Sequence, residues 1–312
     1  MALYARLDRA AVESLVRRFG IEDVTDFSVM DGGRENTNYC VETSSGKYVL
    51  TLCDQKSLEQ ATNLARLLVY LTDHSIRTSR VIVPPGGPVV ILHDEKPVML
   101  KRYVDGDITD TLSGNLLVEL GTEMARLHNN PAPSYLPESF PYGRRHFHEV
   151  MDSNLDHAFV DWLSEKNSYL QKQIPQNLPM ALIHGDVFFD NLIVQGDQVI
   201  AIIDFEEACR YYRSFDLGMV IVGACRNRQG ISFQKARRFL RGYQTDMTLQ
   251  LVERKCLKAF AVYAAVAPAF WRFRQYHLLR PEPQLYDMHV EMQNLADTIS
   301  EYPDSSFTEL YE

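Results

Sequence analysis

The chain has 312 residues, enough for two domains, and its 46% hydrophobic and 23% charged residues are ordinary for a soluble globular enzyme. A net charge of −9 argues against a general nucleic-acid binder, which needs a basic footprint, and suits a cationic or zwitterionic ligand. Five scattered cysteines (Cys40, Cys53, Cys209, Cys225, Cys256), odd in number and without CxxC spacing, read as free thiols of a reducing, cytoplasmic compartment and not as a disulfide frame or zinc site.

The first residues carry charge by Arg6 and have no apolar stretch, so no secretory signal is expected. Residues 8–19 predict an amphipathic helix, capped by Asp8, with Val12, Leu15, Val16 and Phe19 on one face. The period then changes. Residues 27–30, 38–43 and 47–53 predict three antiparallel strands, with a glycine-bearing loop at Asp31-Gly32-Gly33 and a turn at Ser44-Ser45-Gly46. Residues 57–74 predict a second helix, opened by the capping pattern Ser57-x-x-Gln60 and striped by Leu58, Ala61, Leu64, Ala65, Leu68 and Leu71. Two further strands, 89–93 and 98–103, are joined by a turn over residues 94–97. Beyond Asp105-Gly106-Asp107 the pattern is helical: 116–128, a proline-bearing loop 131–142, then 146–173. Residues 180–204 form a β-rich insert, and from Asp216 onward helices dominate. The longest apolar run, 259–271, contains Pro268, is too short to span a bilayer, and is expected as a buried helix.

The insert carries the chemistry. It reads ALIHGDVFFDNLIVQGDQVIAIIDF from Ala181 to Phe205, with Asp186 and Asn191 on a loop and Asp204 after a predicted hairpin that returns the chain toward Asn191. Phosphoryl transfer needs this set, because the protein mainly positions and neutralises a loose, highly charged group. Asp186 suits the carboxylate that orients the attacking hydroxyl and accepts its proton. Asn191 and Asp204 suit oxygen ligands for Mg²⁺. The string matches the kinase pattern of D-x-x-x-x-N followed by a metal-binding Asp after a strand. His184 reads as a structural histidine that bonds the loop backbone, since a base beside Asp186 is redundant.

On these residues, with Leu127-His128 at a helix end and Phe215-Asp216-Leu217 at a helix start, the chain resembles the aminoglycoside phosphotransferase and choline kinase superfamily over nearly its whole length. Within it, Glu35-Asn36-Thr37-Asn38-Tyr39, Tyr48-Val49-Leu50-Thr51-Leu52, Phe189-Asp190-Asn191 and Asp204-Phe205-x-x-Ala208-Cys209 are similar to the bacterial kinase-like homoserine kinases. The implied fold is α+β and two-lobed, like the protein kinases. A small lobe, 1–103, has a five-stranded antiparallel sheet and one main helix, and a larger, mostly helical lobe, 104–312, carries the catalytic loop. The resemblance implies ATP and Mg²⁺ as cofactors, with ATP between the lobes and its adenine near Leu100 and Tyr103. Gly32, Gly33, Arg34 and Asn36 of the glycine loop would also face the nucleotide. Thr51 stands where protein kinases place a phosphate-binding lysine; Lys47, roughly 13 Å away along the strand, is a poor substitute, and Glu59 has no lysine to pair with. Glu206 is a candidate for holding a substrate ammonium. Phe188, with Phe189, Trp271, Phe273 and Tyr276, is a candidate pocket wall, and Asp216 reads as a buried brace. The implied partner is a small hydroxyl compound, L-homoserine first, with choline, ethanolamine, other amino alcohols, a thiosugar or an aminoglycoside as alternatives. The missing lysine leaves a nucleotide-binding pseudokinase as a reading of another class. No nucleic acid or membrane partner is expected, and monomer and homodimer remain open.

Overall fold

The computed structural model describes residues 7–30, 36–84, 86–153 and 155–311. Two compact units divide the chain: Met1–Gly106 with Ile200–Ile203, and Asp107–Val199 with Asp204–Glu312. The first unit thus runs a few residues past Tyr103 and takes in one short segment from much later in the sequence.

In the first unit, α1 (Arg9–Arg18) starts where the Asp8 carboxylate accepts the Ala11 N–H at 2.8 Å, a cap that contributes about 1 kcal/mol. Strands β1 (Val24–Val29), β2 (Thr37–Thr43), β3 (Gly46–Leu52), β4 (Ile91–His93) and β5 (Lys96–Arg102) form one antiparallel sheet in the order β1-β2-β3-β5-β4. Alternation places Tyr39 and Val41 of β2, and Tyr48, Leu50 and Leu52 of β3, on one face. They share a core with Val98, Leu100 and the α1 stripe Val12, Leu15, Val16 and Phe19.

Two details differ from the sequence reading. The turn between β4 and β5 is tighter than residues 94–97: Asp94 (φ 47°) and Glu95 (φ 66°) alone make it, both left-handed, which frees Lys96 and Pro97 to pair with His93 and Leu92. In α2 (Leu58–Asp73), Ser57 and Gln60 form the expected capping box. Ala61, Ala65, Leu68 and Leu71 are buried, but Leu58, in the first turn, is exposed, and Leu64 is half-buried while Leu67 is buried.

The second unit opens with α3 (Gly114–Asn129), capped by Ser113. The stretch expected as helical, 146–173, holds two helices, α4 (His148–Met151) and α5 (His157–Gln173). The chain breaks because Asp156 turns its carboxylate onto the Ala158 and Phe159 N–H groups and starts a new helix there. β6 (Met180–Ile183) follows. The hairpin of β7 (Leu192–Gln195) and β8 (Gln198–Ile202) turns on Gly196, φ +57°. β9 (Cys209–Tyr212), absent from the sequence reading, pairs antiparallel with β6.

The rest is helical: α6 (Arg213–Ala224), buried throughout, α7 (Phe233–Asp246), α8 (Leu251–Phe273), α9 (Val290–Glu301) and α10 (Asp304–Thr308). A small hairpin of β10 (Arg226–Asn227) and β11 (Gly230–Ile231) interrupts it. α3 and α7 touch backbone to backbone, since a Cβ on Gly121 would strike the Phe239 carbonyl and one on Gly242 the Val118 carbonyl. The helical stretch Leu251–Leu279 is long and apolar enough to cross a membrane, but 83% of its most apolar part is buried inside the protein, which marks a core helix.

Candidate active site

The candidate catalytic loop leaves β6 at His184 and is held from behind by a buried carboxylate. Asp216, in the first turn of α6, is 0% exposed. It accepts the His184 N–H on Oδ2 at 2.7 Å and the Gly185 N–H on Oδ1 at 2.8 Å. His128, at the end of α3, donates from Nε2 to Asp216 Oδ2 at 3.1 Å, and its Nδ1 lies 2.9 Å from the Tyr243 hydroxyl of α7. Three helices therefore converge on two loop amides. Asp216 is the structural brace the sequence suggests, and both of its oxygens are engaged by the protein.

Gly185 is left-handed, φ +89°, and a Cβ there would come within 2.8 Å of the Glu207 carbonyl. Only glycine meets both conditions without strain. The Gly185 carbonyl accepts from the Tyr142 hydroxyl. Burial, aided by the charges of Asp186 and Glu207, pushes the Tyr142 pKa well above the usual phenol value, so its proton stays on oxygen as a standing donor.

His184 is fully buried, and its Nδ1 accepts the Asp186 N–H at 3.1 Å. That nitrogen is unprotonated, and the ring lies against Phe205, centroids 4.4 Å apart. A histidine so placed shapes the loop. Asp186 is half-buried. Asn191 closes a 3-10 turn, Phe189–Asn191, and donates from Nδ2 to the Asp186 carbonyl at 2.8 Å and to Asp186 Oδ2 at 3.3 Å. Both amide protons are thereby used, and the amide oxygen is left as an acceptor.

Asn191 directly precedes β7 and Asp204 follows β8, which puts them at the same end of the hairpin. Asp204 is exposed and left-handed, φ 66° and ψ 58°. A non-glycine residue held there costs on the order of 1 kcal/mol and aims its carboxylate where an extended backbone would not. Among the described residues there is no group of three or more His, Cys, Asp and Glu side chains suited to a metal. The donors present, one carboxylate and one amide oxygen, fit Mg²⁺, which binds through few protein ligands and completes its shell with water and phosphate.

The remaining expected site residues have varied positions. Glu206 is half-buried in the 3-10 turn Phe205–Glu207, and Phe188 is half-buried beside α6, where a Cβ on Gly223 would sit 3.0 Å from its ring. Phe189 and Trp271 are half-buried, whereas Tyr276 is buried. Phe273 is core: its ring stacks between Phe159 and His277, each 4.1 Å away. In the first unit Thr51 is 2% exposed and its hydroxyl donates to Asn38 Oδ1 at 2.7 Å. Lys47 pairs with Glu42 at 2.6 Å, and Glu59 faces solvent. The Leu100 side chain belongs to the core, so its backbone alone is available to a ligand, and its carbonyl already accepts the Ile82 N–H at 2.8 Å. Tyr103 is half-buried, with its N–H on the Lys47 carbonyl at 3.0 Å, and half-buried Asn36 directly precedes β2. Gly32, Gly33 and Arg34 lie outside the described residues.

Sequence reasoning missed Tyr142 and Tyr243 and gave His128 no role. Their partners lie 43, 115 and 88 positions away along the chain, so no local spacing marks them.

An Asp–Asn catalytic loop, a hairpin and a following Asp, on a chain that opens with a five-stranded antiparallel sheet, define a phosphotransferase of the kinase-like fold. The sequence profile of the phosphotransferase enzyme family (APH) matches residues 26–250. The chain belongs to that family and is an ATP-dependent small-molecule kinase. Among curated proteins it is similar to the homoserine kinases of Rhodopseudomonas palustris (25% identical) and Nitrobacter hamburgensis (23%), in each case over 97% of both chains. Among solved structures it shares the fold of a microcompartment-associated aminopropanol kinase, with a TM-score of 0.71 and 16% identity over 97% of this chain and 100% of the other.

Proposed function

We propose that the protein transfers the γ-phosphoryl group of ATP to the side-chain hydroxyl of L-homoserine. The observation that carries the chemistry is the Asp186–Asn191 contact on a loop fixed by Asp216. Asp186 accepts a hydrogen bond from the substrate hydroxyl, orients its oxygen in line with the γ-phosphorus, and takes the proton as the new O–P bond forms. The bond from phosphorus to the bridging oxygen breaks, and ADP leaves with that electron pair.

Asn191 Oδ1 and the Asp204 carboxylate are the groups that would hold Mg²⁺, which supplies charge neutralisation at the phosphates. Nucleotide contacts are proposed from Asn36, Tyr103, the Leu100 backbone and, beyond the described residues, Gly32, Gly33 and Arg34. Thr51 acts indirectly, through Asn38. Glu206 and Phe188, next to the loop in sequence or space, are proposed for the amino end of the substrate. A cytoplasmic location goes with this reading, on the cysteine pattern. L-homoserine is chosen because relatives of that name align with almost the entire chain at 23–25% identity.

The test is ADP release by purified protein with Mg-ATP against L-homoserine, choline, ethanolamine, an aminopropanol and an aminoglycoside. The proposal expects the highest kcat/KM for L-homoserine. A higher value for another acceptor would reassign the substrate, and release with none of them would favour the pseudokinase.

A further inference from the structure

Arg144 and Arg145 line a pocket of about 140 Å³ within the second unit, between the segment 138–145, β9 and α8. Pockets for drug-sized ligands start at roughly 300 Å³, so this one suits a small group. Neither arginine has a carboxylate partner among the described residues. Arg144 donates from Nε to Asn167 Oδ1 at 3.0 Å and from Nη2 to the Asn167 carbonyl at 3.3 Å, and Arg145 donates from Nη1 to Ser139 Oγ at 3.4 Å. All three acceptors are neutral. Glu138, the one carboxylate in the lining, is paired with Arg210 at 3.0 Å. Both arginines line the pocket and neither has a carboxylate partner among the described residues, although Arg144 already spends two of its guanidinium donors on Asn167.

A third donor joins them. The Tyr263 hydroxyl accepts the Arg144 N–H at 2.8 Å and is hydrogen-bonded to the Tyr211 hydroxyl. Tyr211 itself lines the pocket, which puts a phenolic hydroxyl within reach of an occupant. Phe140, stacked on Phe215 at 4.4 Å, and Gly143 make the pocket's apolar floor. A Cβ on Gly143 would stand 3.2 Å from the Tyr263 hydroxyl and narrow it.

We infer that this pocket is a second binding site, for a small oxyanion: a free phosphate or the phosphoryl group of a phosphomonoester, held by Arg144, Arg145 and Tyr211. Guanidinium forks match phosphoryl oxygens in charge and geometry, and phenolic O–H supplies a neutral donor. The site is joined to the catalytic loop through one residue. Tyr142 lies between Phe140 and Gly143 and donates to the Gly185 carbonyl, next to Asp186. An occupied pocket stiffens the segment that carries this brace.

The test is calorimetric titration of the full chain with inorganic phosphate and, separately, glycerol 3-phosphate. Saturating ADP keeps both probes out of the nucleotide site, and the readout needs no turnover. The expected result is one site per chain for at least one probe, the tighter probe identifying the source of the phosphoryl group. Binding should weaken about tenfold or more in Arg145→Ala, which removes a charge-assisted donor, and several-fold in Tyr211→Phe. Arg145 is exposed and outside the catalytic loop, so the variant's turnover without phosphate should equal that of the wild type. Failure of the wild type to bind either probe, or equal affinity in Arg145→Ala, overturns the assignment.

Discussion

Replacing Asp216 by Asn should disable the enzyme without touching any group that meets substrate. The carboxylate accepts three hydrogen bonds from fully buried surroundings: His184 N–H, Gly185 N–H and His128 Nε2–H. An amide keeps one oxygen. Its less costly orientation leaves that oxygen where Oδ2 was, serving His184 and His128, and sets the NH₂ against the Gly185 N–H. One charge-assisted bond is lost, worth about 1.5–3 kcal/mol, and the other two weaken because the acceptor is now neutral. The total is about 3 kcal/mol, part of it felt as stability and part as a loop free to shift. A displacement near 1 Å at the reacting atoms costs about 10²-fold in rate. In a coupled ADP-release assay, kcat should fall about 10²-fold while KM for ATP changes by less than about threefold, the pattern of a lost transition-state interaction. Urea unfolding should show the lost stability in the same preparation. A variant with kcat within about twofold of wild type would refute the brace, whatever its stability.

Gly185→Ala must place a Cβ 2.8 Å from the Glu207 carbonyl at φ +89°; a loss of about 1–3 kcal/mol in thermal or urea unfolding is expected, with kcat down tenfold or more. His289 gives a pH signature. Burial, with His277 nearby, holds its pKa below the ordinary value of 6.5, against the opposing hydrogen bond to the Tyr286 carbonyl. Above that value the ring is neutral in both states and its contribution is complete. As pH falls below it, the unfolded chain binds a proton that the folded one resists, and stability drops. Urea midpoints at pH 7.5 and 5.5 should fall more for wild type than for His289→Gln; equal falls would count against the assignment.

The candidate site was legible because its residues are close in sequence. Asp186 and Asn191 share one loop, and a hairpin of short apolar strands returns the chain to Asp204, so spacing alone groups them. The caps at Asp8 and Ser57 were legible for the same reason: each bonds a backbone group three residues on. What stayed hidden is non-local or unmarked. β9 is four residues, Cys-Arg-Tyr-Tyr, without clean alternation, and owes its state to pairing with β6. The turn at Asp94-Glu95 lacks the glycine that would have shortened the expected loop. Asp216 was visible as a brace, but what it braces is set by tertiary packing of α3, α6 and α7. Burial was not legible either: the Leu100 and Thr51 side chains are committed inside the first unit.

³¹P NMR of the products formed from Mg-ATP and L-homoserine by the wild type and by Asp186→Asn tests the phosphoryl transfer itself. The wild type should give equal amounts of ADP and a homoserine phosphomonoester, at a rate lowered about 10²–10⁴-fold in the variant, the usual contribution of a positioned general base. ATP consumed without a phosphomonoester, or a variant as fast as the wild type, would contradict that transfer.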